Sequence, residues 1–341
     1  MNDNRPIVGI TMGDPVGIGP ELICLALNHR HVYDVARPLV IGDVQVLEKA
    51  KLITKSSSLI ATVNSPGAAS YKPGCIEVLN RSHIEPETLI WGQPTEGTGK
   101  AMEHYIIVAI DMALNGDIGA IVTCPINKTA LKLAGSRFHG HTELLARRTG
   151  TTKYAMMMAG DRLRVVLVTI HISLKQVSQS LTIENIMSTI ETTDDSLKER
   201  FGLERPKIAV AGLNPHAGES GMFGDEEVRL IEPAVSLSKK NGIDVSGPYP
   251  PDTVFLNAMN GQFDAVVCMY HDQGLIPFKM IHFSDGVNTT LGLPIIRTSV
   301  DHGTAYDIAG KGVADPGSLI QAIKMAAFQS TCQMEKNHNQ A

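Results

Sequence analysis

The chain has 341 residues, with 30 Lys+Arg against 35 Asp+Glu and a formal net charge of −5. At roughly 150 residues per domain this length suggests two domains, and 43% apolar with 19% charged residues excludes a disordered chain. A net-acidic sequence without a Lys/Arg block argues against a nucleic-acid partner, and no uncharged apolar run approaches the roughly 18 residues of a membrane span. Met1 to Met12 has no basic segment followed by an apolar one, so a cytoplasmic protein is expected. The five cysteines are scattered without a C-x-x-C pair, which argues against a disulfide framework and a thiolate zinc site. Any metal would be held by His, Asp or Glu.

In chain order, strands are predicted at Ile7–Met12, Pro38–Ile41, Ala120–Thr123, Arg164–Ile170, Lys207–Leu213 and Ala265–Tyr270, each a short apolar, β-branched run. Helices are predicted between them, at Lys100–Leu114, at Thr142–Thr149 with Thr142 as N-cap, at Asn185–Phe201 and at Asp225–Lys240. Ser56–Pro73 reads as a loop or weakly structured insertion, and the polar tail Gln333–Ala341 as frayed. The alternation predicts α/β layering around a mostly parallel sheet.

Three histidines stand just beyond strand-like runs: His171, His216 and His271. In an open parallel sheet ligands bind outside the carboxyl ends of the strands, so three strands could deliver three imidazoles to one edge. Three such ligands would leave a divalent metal open positions for substrate. Singly, each histidine is better read as satisfying a local hydrogen bond. Together, beside the turn residues of Asn214-Pro215-His216-Ala217-Gly218 and His271-Asp272-Gln273-Gly274, a shared site is the better reading. Gly140-His141-Thr142-Glu143 opens a helix whose N-terminus suits an anion, although a simple cap would explain it alone. Thr123-Cys124-Pro125-Ile126-Asn127-Lys128 is another strand exit, tipped by an amide and an ammonium. Lys279, Asn288 and Arg297 punctuate an apolar, Gly-rich stretch, and the fork of Arg297 suits a carboxylate or phosphate. The turn Gly13–Glu21 follows a strand but fails the G-x-G-x-x-G fingerprint, because position 22 is Leu and Pro20 lies inside it.

Gly13–Glu21 and His302–Gly310 resemble the isocitrate/isopropylmalate dehydrogenase superfamily, where a loop like the latter binds the adenosine part of NAD. Adding GHTE (140–143), LNPHAGE (213–219), MYHDQG (269–274) and NTTLGLPIIRTSVDHGTA (288–305), the chain resembles the 4-hydroxythreonine-4-phosphate dehydrogenase family from about Ile7 to Ala327. The resemblance implies a two-domain α/β/α isocitrate/isopropylmalate dehydrogenase-like fold with its active site in the interdomain cleft. The domains would be 1–125 plus 285–341, carrying the NAD loop, and 126–284, carrying metal and dimer contacts. It implies a homodimer sharing the metal site, with His171, His216 and His271 as ligands and His141, Thr142, Lys279, Asn288 and Arg297 as substrate contacts. His302, Gly303, Ala305, Asp307 and Gly310 would bind the cofactor. The implied reaction is metal-assisted, NAD-linked oxidation at carbon 3 of a 4-phosphorylated four-carbon acid, followed by decarboxylation. No general base is assigned; Asp252 and Asp272 are the candidates.

The family has two branches. One takes a 2-amino substrate toward vitamin B6; the other takes D-threonate or D-erythronate 4-phosphate to dihydroxyacetone phosphate. Thr11-Met12-Gly13-Asp14, Asn127-Lys128 and Ile172-Ser173 depart from the biosynthetic pattern and favour the sugar-acid branch. Zinc, cobalt, nickel, manganese and magnesium are not distinguished. NAD is favoured over NADP because only Lys311 could meet a 2′-phosphate. Two readings of another class remain: a metal-dependent hydrolase or aldolase, which leaves the 302–310 loop unexplained, and a metal-sensing binding protein, in which Lys279, Asn288 and Arg297 would need another purpose.

Overall fold

Apolar runs broken by Gly, Pro and Asn fold here as strands and helices in alternation. The computed structural model describes residues 3–138 and 140–340, with side chains through His338. β1 (Ile7–Thr11) leads into α1 (Gly19–Ala26), with Pro20 in its first turn, where a missing N–H costs nothing, and then α2 (Arg30–Val35). β2 (Arg37–Gly42), α3 (Val44–Thr54), β3 (Leu59–Thr62) and β4 (Cys75–Asn80) follow. Next come α4 (Glu96–Leu114), opened by a Thr95/Thr98 capping box, β5 (Ala120–Thr123), α5 (Lys128–Leu133) and α6 (His141–Arg148). β6 (Ala155–Ala159), β7 (Arg164–Leu167), α7 (Leu174–Ser180), α8 (Ile183–Arg200) and β8 (Ile208–Ala211) continue the chain. α9 (Glu232–Lys240), β9 (Val245–Tyr249), α10 (Val254–Met259), β10 (Ala265–Cys268), α11 (His271–Ile281) and β11 (Val287–Leu291) come next. β12 (Arg297–Ser299) and α12 (Gly317–Gln340) end it.

Two compact units divide the chain, the first holding residues up to Thr152 and Leu293–Met334, the second Lys153–Gly292 and residues from Glu335 on. These bounds differ from the divisions after 125 and 284 read from sequence. α5 and α6 stay with the first unit because Ala130 and Leu131 bury against Met102 of α4. Gly99 brings α4 so close that a Cβ there would lie 2.2 Å from the Ala130 carbonyl oxygen. Arg148 of α6 also grips Asp111 of α4 through two 2.7 Å hydrogen bonds. β11 stays with the second unit because it pairs with β6, Asn288 opposite Met158.

The first unit's sheet runs β3-β4-β2-β1-β5-β12, parallel throughout. The second runs β11-β6-β7-β10-β8-β9; β6 is antiparallel to both neighbours and the remaining pairs are parallel. The α/β class expected from the sequence is present in both. Buried Val165, Leu167, Ala209, Val266 and Phe278 form the core beside the strand ends that matter below.

Four local expectations are corrected. Ser56–Pro73 is not all loop: it contains β3, an edge strand with Leu59 67% exposed. The segment after Cys332 continues α12 to Gln340, and Ala341 lies outside the described residues. Gly140, not Thr142, is the N-cap of α6. Asp225–Lys240 opens with a wide turn over Glu227–Ile231 before α9 begins.

Candidate active site

In the first unit, the 302–312 loop is tied down from three sides. The Ile18 N–H donates to the Thr304 carbonyl at 3.1 Å. The Tyr306 hydroxyl donates to Asp14 Oδ2, and Asp14 Oδ1 accepts from the Val16 N–H. Burial raises the Asp14 carboxyl above the usual range, against the pull of those two hydrogen bonds. Glu21, fully buried on α1, accepts from the N–H groups of Gly310 and Gly312 at 2.5 and 2.7 Å. Ala305 is left-handed (φ 43°), and Gly310 lies so close to Trp91 that a Cβ would stand 2.4 Å from the ring. His302, Gly303 and Asp307 are exposed on this loop, with open space around Gly303. Beside it a cleft of about 600 Å³ is lined by Val16, Arg81, His83, Thr95, Lys100 and His104. Asp43 builds its rim, capping α3 while accepting from Ser82 Oγ and the Ile84 N–H.

A second feature of this unit is a buried cation. Arg297, on β12 and 5% exposed, donates through Nε and Nη2 to Thr123 Oγ1 at the end of β5. Burial lowers its pKa to about 10. His141 begins α6, and its buried Nε2 has no hydrogen-bond partner among the described residues. Burial, then the Arg297 charge, pushes the imidazole well below 6.5. Thr142 lies half-buried in the same turn. Asn127, expected at a strand exit, caps α5 by accepting from the Ala130 N–H, and Lys128 is exposed beside it.

In the second unit, β7 and β10 stay paired past their ends. Val168 and Thr169 donate their N–H groups to Cys268 and Met269, and Thr169 Oγ1 donates to the Met269 carbonyl at 2.7 Å. His171 and His271 lie two residues further along each strand, and their rings come together at 5.7 Å between centroids. His271 Nδ1 lies 2.7 Å from Asp272 Oδ1, which orients the ring and leaves Nε2 as the outward nitrogen. A cleft of about 420 Å³ opens there, lined by Ile170, His171, Leu174, Val177, Tyr270 and His271. Lys279 lies further along α11, 5.9 Å from the Phe283 ring. Asn288 is half-buried on β11, and Asp252 is exposed before α10. His216 follows β8 on a left-handed turn: His216, Ala217, Gly218, Glu219 and Ser220 all have φ between 42° and 78°. Each non-glycine in that conformation costs about 1–2 kcal/mol, so the turn is held by its surroundings.

The pair His171–His271, with a carboxylate behind one ring, is the donor chemistry a divalent transition metal takes. His216 does not join it within the chain; among the described residues no three or more His, Cys, Asp or Glu side chains gather to hold an ion. No helix among the described residues is long and apolar enough to cross a membrane.

The sequence profile described as "Pyridoxal phosphate biosynthetic protein PdxA" matches residues 34–326. A protein of Desulforapulum autotrophicum named 4-hydroxythreonine-4-phosphate dehydrogenase is 63% identical over 97% of both chains. One of Salmonella typhimurium named D-threonate 4-phosphate dehydrogenase is 47% identical, over 94% of this chain and 97% of its own. The crystal structure of the 4-hydroxythreonine-4-phosphate dehydrogenase of Klebsiella pneumoniae superposes with a TM-score of 0.91 at 43% identity, covering 98% of this chain and all of the other. The chain belongs to the PdxA family. It is therefore a dehydrogenase and uses a nicotinamide cofactor, and the resemblance drawn from its motifs is borne out. The hydrolase and sensor readings fall away.

Sequence reasoning missed the acidic and aromatic anchors of the loops of this PdxA-family protein: Asp14, Glu21 and Trp91 in the first unit and Glu227 in the second. Glu21 and Glu227 bond backbone N–H groups in other loops, which leave no pattern in sequence; only the positive-φ glycines around them hint that chain passes close.

Proposed function

We propose that this PdxA-family enzyme oxidises the carbon-3 hydroxyl of a four-carbon acid phosphorylated on carbon 4, with NAD as acceptor, and that the resulting 3-keto acid loses carbon dioxide. The preferred substrate is D-threonate 4-phosphate or D-erythronate 4-phosphate, and the product dihydroxyacetone phosphate. The observation that carries this reading is the buried Arg297–Thr123 pair beside the unpartnered Nε2 of His141. A guanidinium held out of water next to a neutral imidazole is chemistry that suits an anion. Arg297 and Lys279 would neutralise phosphate or carboxylate, while His141, Thr142 and Asn288 hydrogen-bond and orient the acid. His171, His271 and His216 would hold a divalent cation, with Asp272 keeping the His271 tautomer. Such an ion supplies Lewis acidity toward the reacting hydroxyl and ketone. Asp272 is thereby an orienting group, and Asp252 keeps no defined role.

His302, Gly303, Ala305, Asp307 and Gly310 would carry the adenosine part of NAD, with the neighbouring cleft giving room to the rest. Asp307 favours a ribose 2′-hydroxyl over a 2′-phosphate, and Lys311 is the one nearby cation in the loop sequence. We read the enzyme as a cytoplasmic homodimer sharing its metal site. What supports this is the apolar surface next to His271, with Ile276 61%, Met280 83% and Phe283 81% exposed. A second copy would also deliver the third histidine. The second reading is a 2-amino substrate, favoured by the names of the relatives at 63% and 60% identity.

The test is NADH formation at 340 nm by metal-loaded enzyme with the three 4-phosphates, D-threonate, D-erythronate and 4-hydroxythreonine. A kcat/KM at least about tenfold higher for the hydroxy acids, equal to about 1.4 kcal/mol, is expected. The reverse order selects the amino substrate, and no turnover of any of them overturns the substrate class.

A further inference from the structure

The left-handed turn at His216–Ser220 has one buried group beneath it. Glu227 is 1% exposed, and its Oε1 accepts from the N–H groups of both Leu213 and Asn214, at 2.7 and 2.8 Å. Its Oε2 accepts from the Asn214 side-chain amide at 2.9 Å, an amide that also donates to Glu226. Three glycines make room for this arrangement. A Cβ at Gly212 would stand 2.9 Å from Ala217 Cα and 3.0 Å from Glu227 Oε1; at Gly218 it would stand 2.7 Å from Glu227 Oε2, and at Gly224 2.4 Å from Asn214 Nδ2. The base of the turn is anchored in addition by Gln273, whose Nε2 donates to the Gly212 carbonyl and whose Oε1 accepts from the Met269 N–H, two residues before His271. A run of left-handed residues does not hold itself, and here the carboxylate fixes both where it starts and how closely it folds back.

We infer that Glu227 is a positioning residue for His216: its carboxylate sets the left-handed turn that presents the imidazole. This rests on reading His216 as a metal ligand. The test titrates cobalt(II) into the full-length metal-free protein and its Glu227→Gln, Glu227→Ala and His216→Ala variants. It follows the visible cobalt absorption and the affinity in competition with a chromophoric chelator, and checks folding by circular dichroism. Glu227→Ala is expected to weaken cobalt binding 10–100-fold and to change the visible band toward that of His216→Ala. Glu227→Gln, whose remaining oxygen can still accept from Leu213 and Asn214, should lie between wild type and Glu227→Ala. Should Glu227→Ala not fold, Asn214→Ala takes its place beside Glu227→Gln. A folded Glu227 pair with wild-type affinity and band, while His216→Ala binds weakly, overturns the positioning role alone; a lower melting temperature by itself would mark only a structural part. Cobalt binding unaffected by His216→Ala overturns the ligand reading and the inference with it.

Discussion

Glu21→Gln is the most informative single change in the first unit. The carboxylate is fully buried and accepts two backbone N–H bonds, from Gly310 at 2.5 Å and Gly312 at 2.7 Å. Hydrogen bonds to a charged group contribute about 1.5–3 kcal/mol each. The amide keeps one acceptor oxygen and turns an NH2 toward the second N–H, so one bond is lost and a buried donor is left facing another. The expected cost is about 2–3 kcal/mol. For a unit of roughly 200 residues each kcal/mol moves Tm by about 2–4 °C, so calorimetry should record a fall of about 5–10 °C. The loop itself has a built-in probe. Trp91 is the single tryptophan and lies against Gly310, so its emission should shift as the loop loosens. Under the proposed cofactor site, NADH affinity should also drop about tenfold, or about 1.4 kcal/mol. An unchanged Tm together with unchanged Trp91 emission would refute the idea that Glu21 anchors this loop.

Other changes test other contacts. Thr123→Val removes the oxygen that braces Arg297 at nearly constant volume; a rise of about tenfold in KM for the phosphorylated acid, an effect of about 1–2 kcal/mol, should appear in steady-state kinetics with an unaltered circular dichroism spectrum. His141 is held neutral in the folded enzyme, with its pKa lowered well below 6.5 by burial and then by Arg297. The unfolded chain therefore binds the extra proton first, and stability falls as pH drops below 6.5. Melting curves of wild type and His141→Gln across pH 7.5 to 5 should diverge, with the wild type losing more; parallel curves would contradict the shift. Gly99→Ala drives a Cβ into the Ala130 carbonyl and should cost about 2–3 kcal/mol in urea unfolding, because α4 and α5 have to part.

Much of this architecture is written locally. The runs at β1, β5, β8 and β10 are β-branched and buried, so composition alone marks them. β6 escapes because its sequence, AMMMA, lacks β-branched residues; it is a strand through its pairing with β7 and β11. β9 escapes because it carries Pro248, tolerated at the edge of the second unit's sheet. The histidines were legible because strand ends are where sheets bind ligands. That His171 and His271 are neighbours depends on β7 pairing with β10; β8 pairs with β10 as well, yet His216 stands apart on the left-handed turn that follows its strand, and no spacing encodes either outcome.

The division of the chain also bears on how it is made. The first unit's sheet needs β12 to cover the free edge of β5, yet the second unit, ~140 residues long, is translated between them. At roughly 5–20 residues per second the ribosome takes on the order of ten seconds to cross that insertion. Throughout that interval β5, a fully buried strand in the finished protein, can pair with β1 on one side but has an open ladder on the other. The half that is started first is thus completed last, and its exposed strand is where a nascent chain would be captured by a chaperone or by a neighbour on the same message.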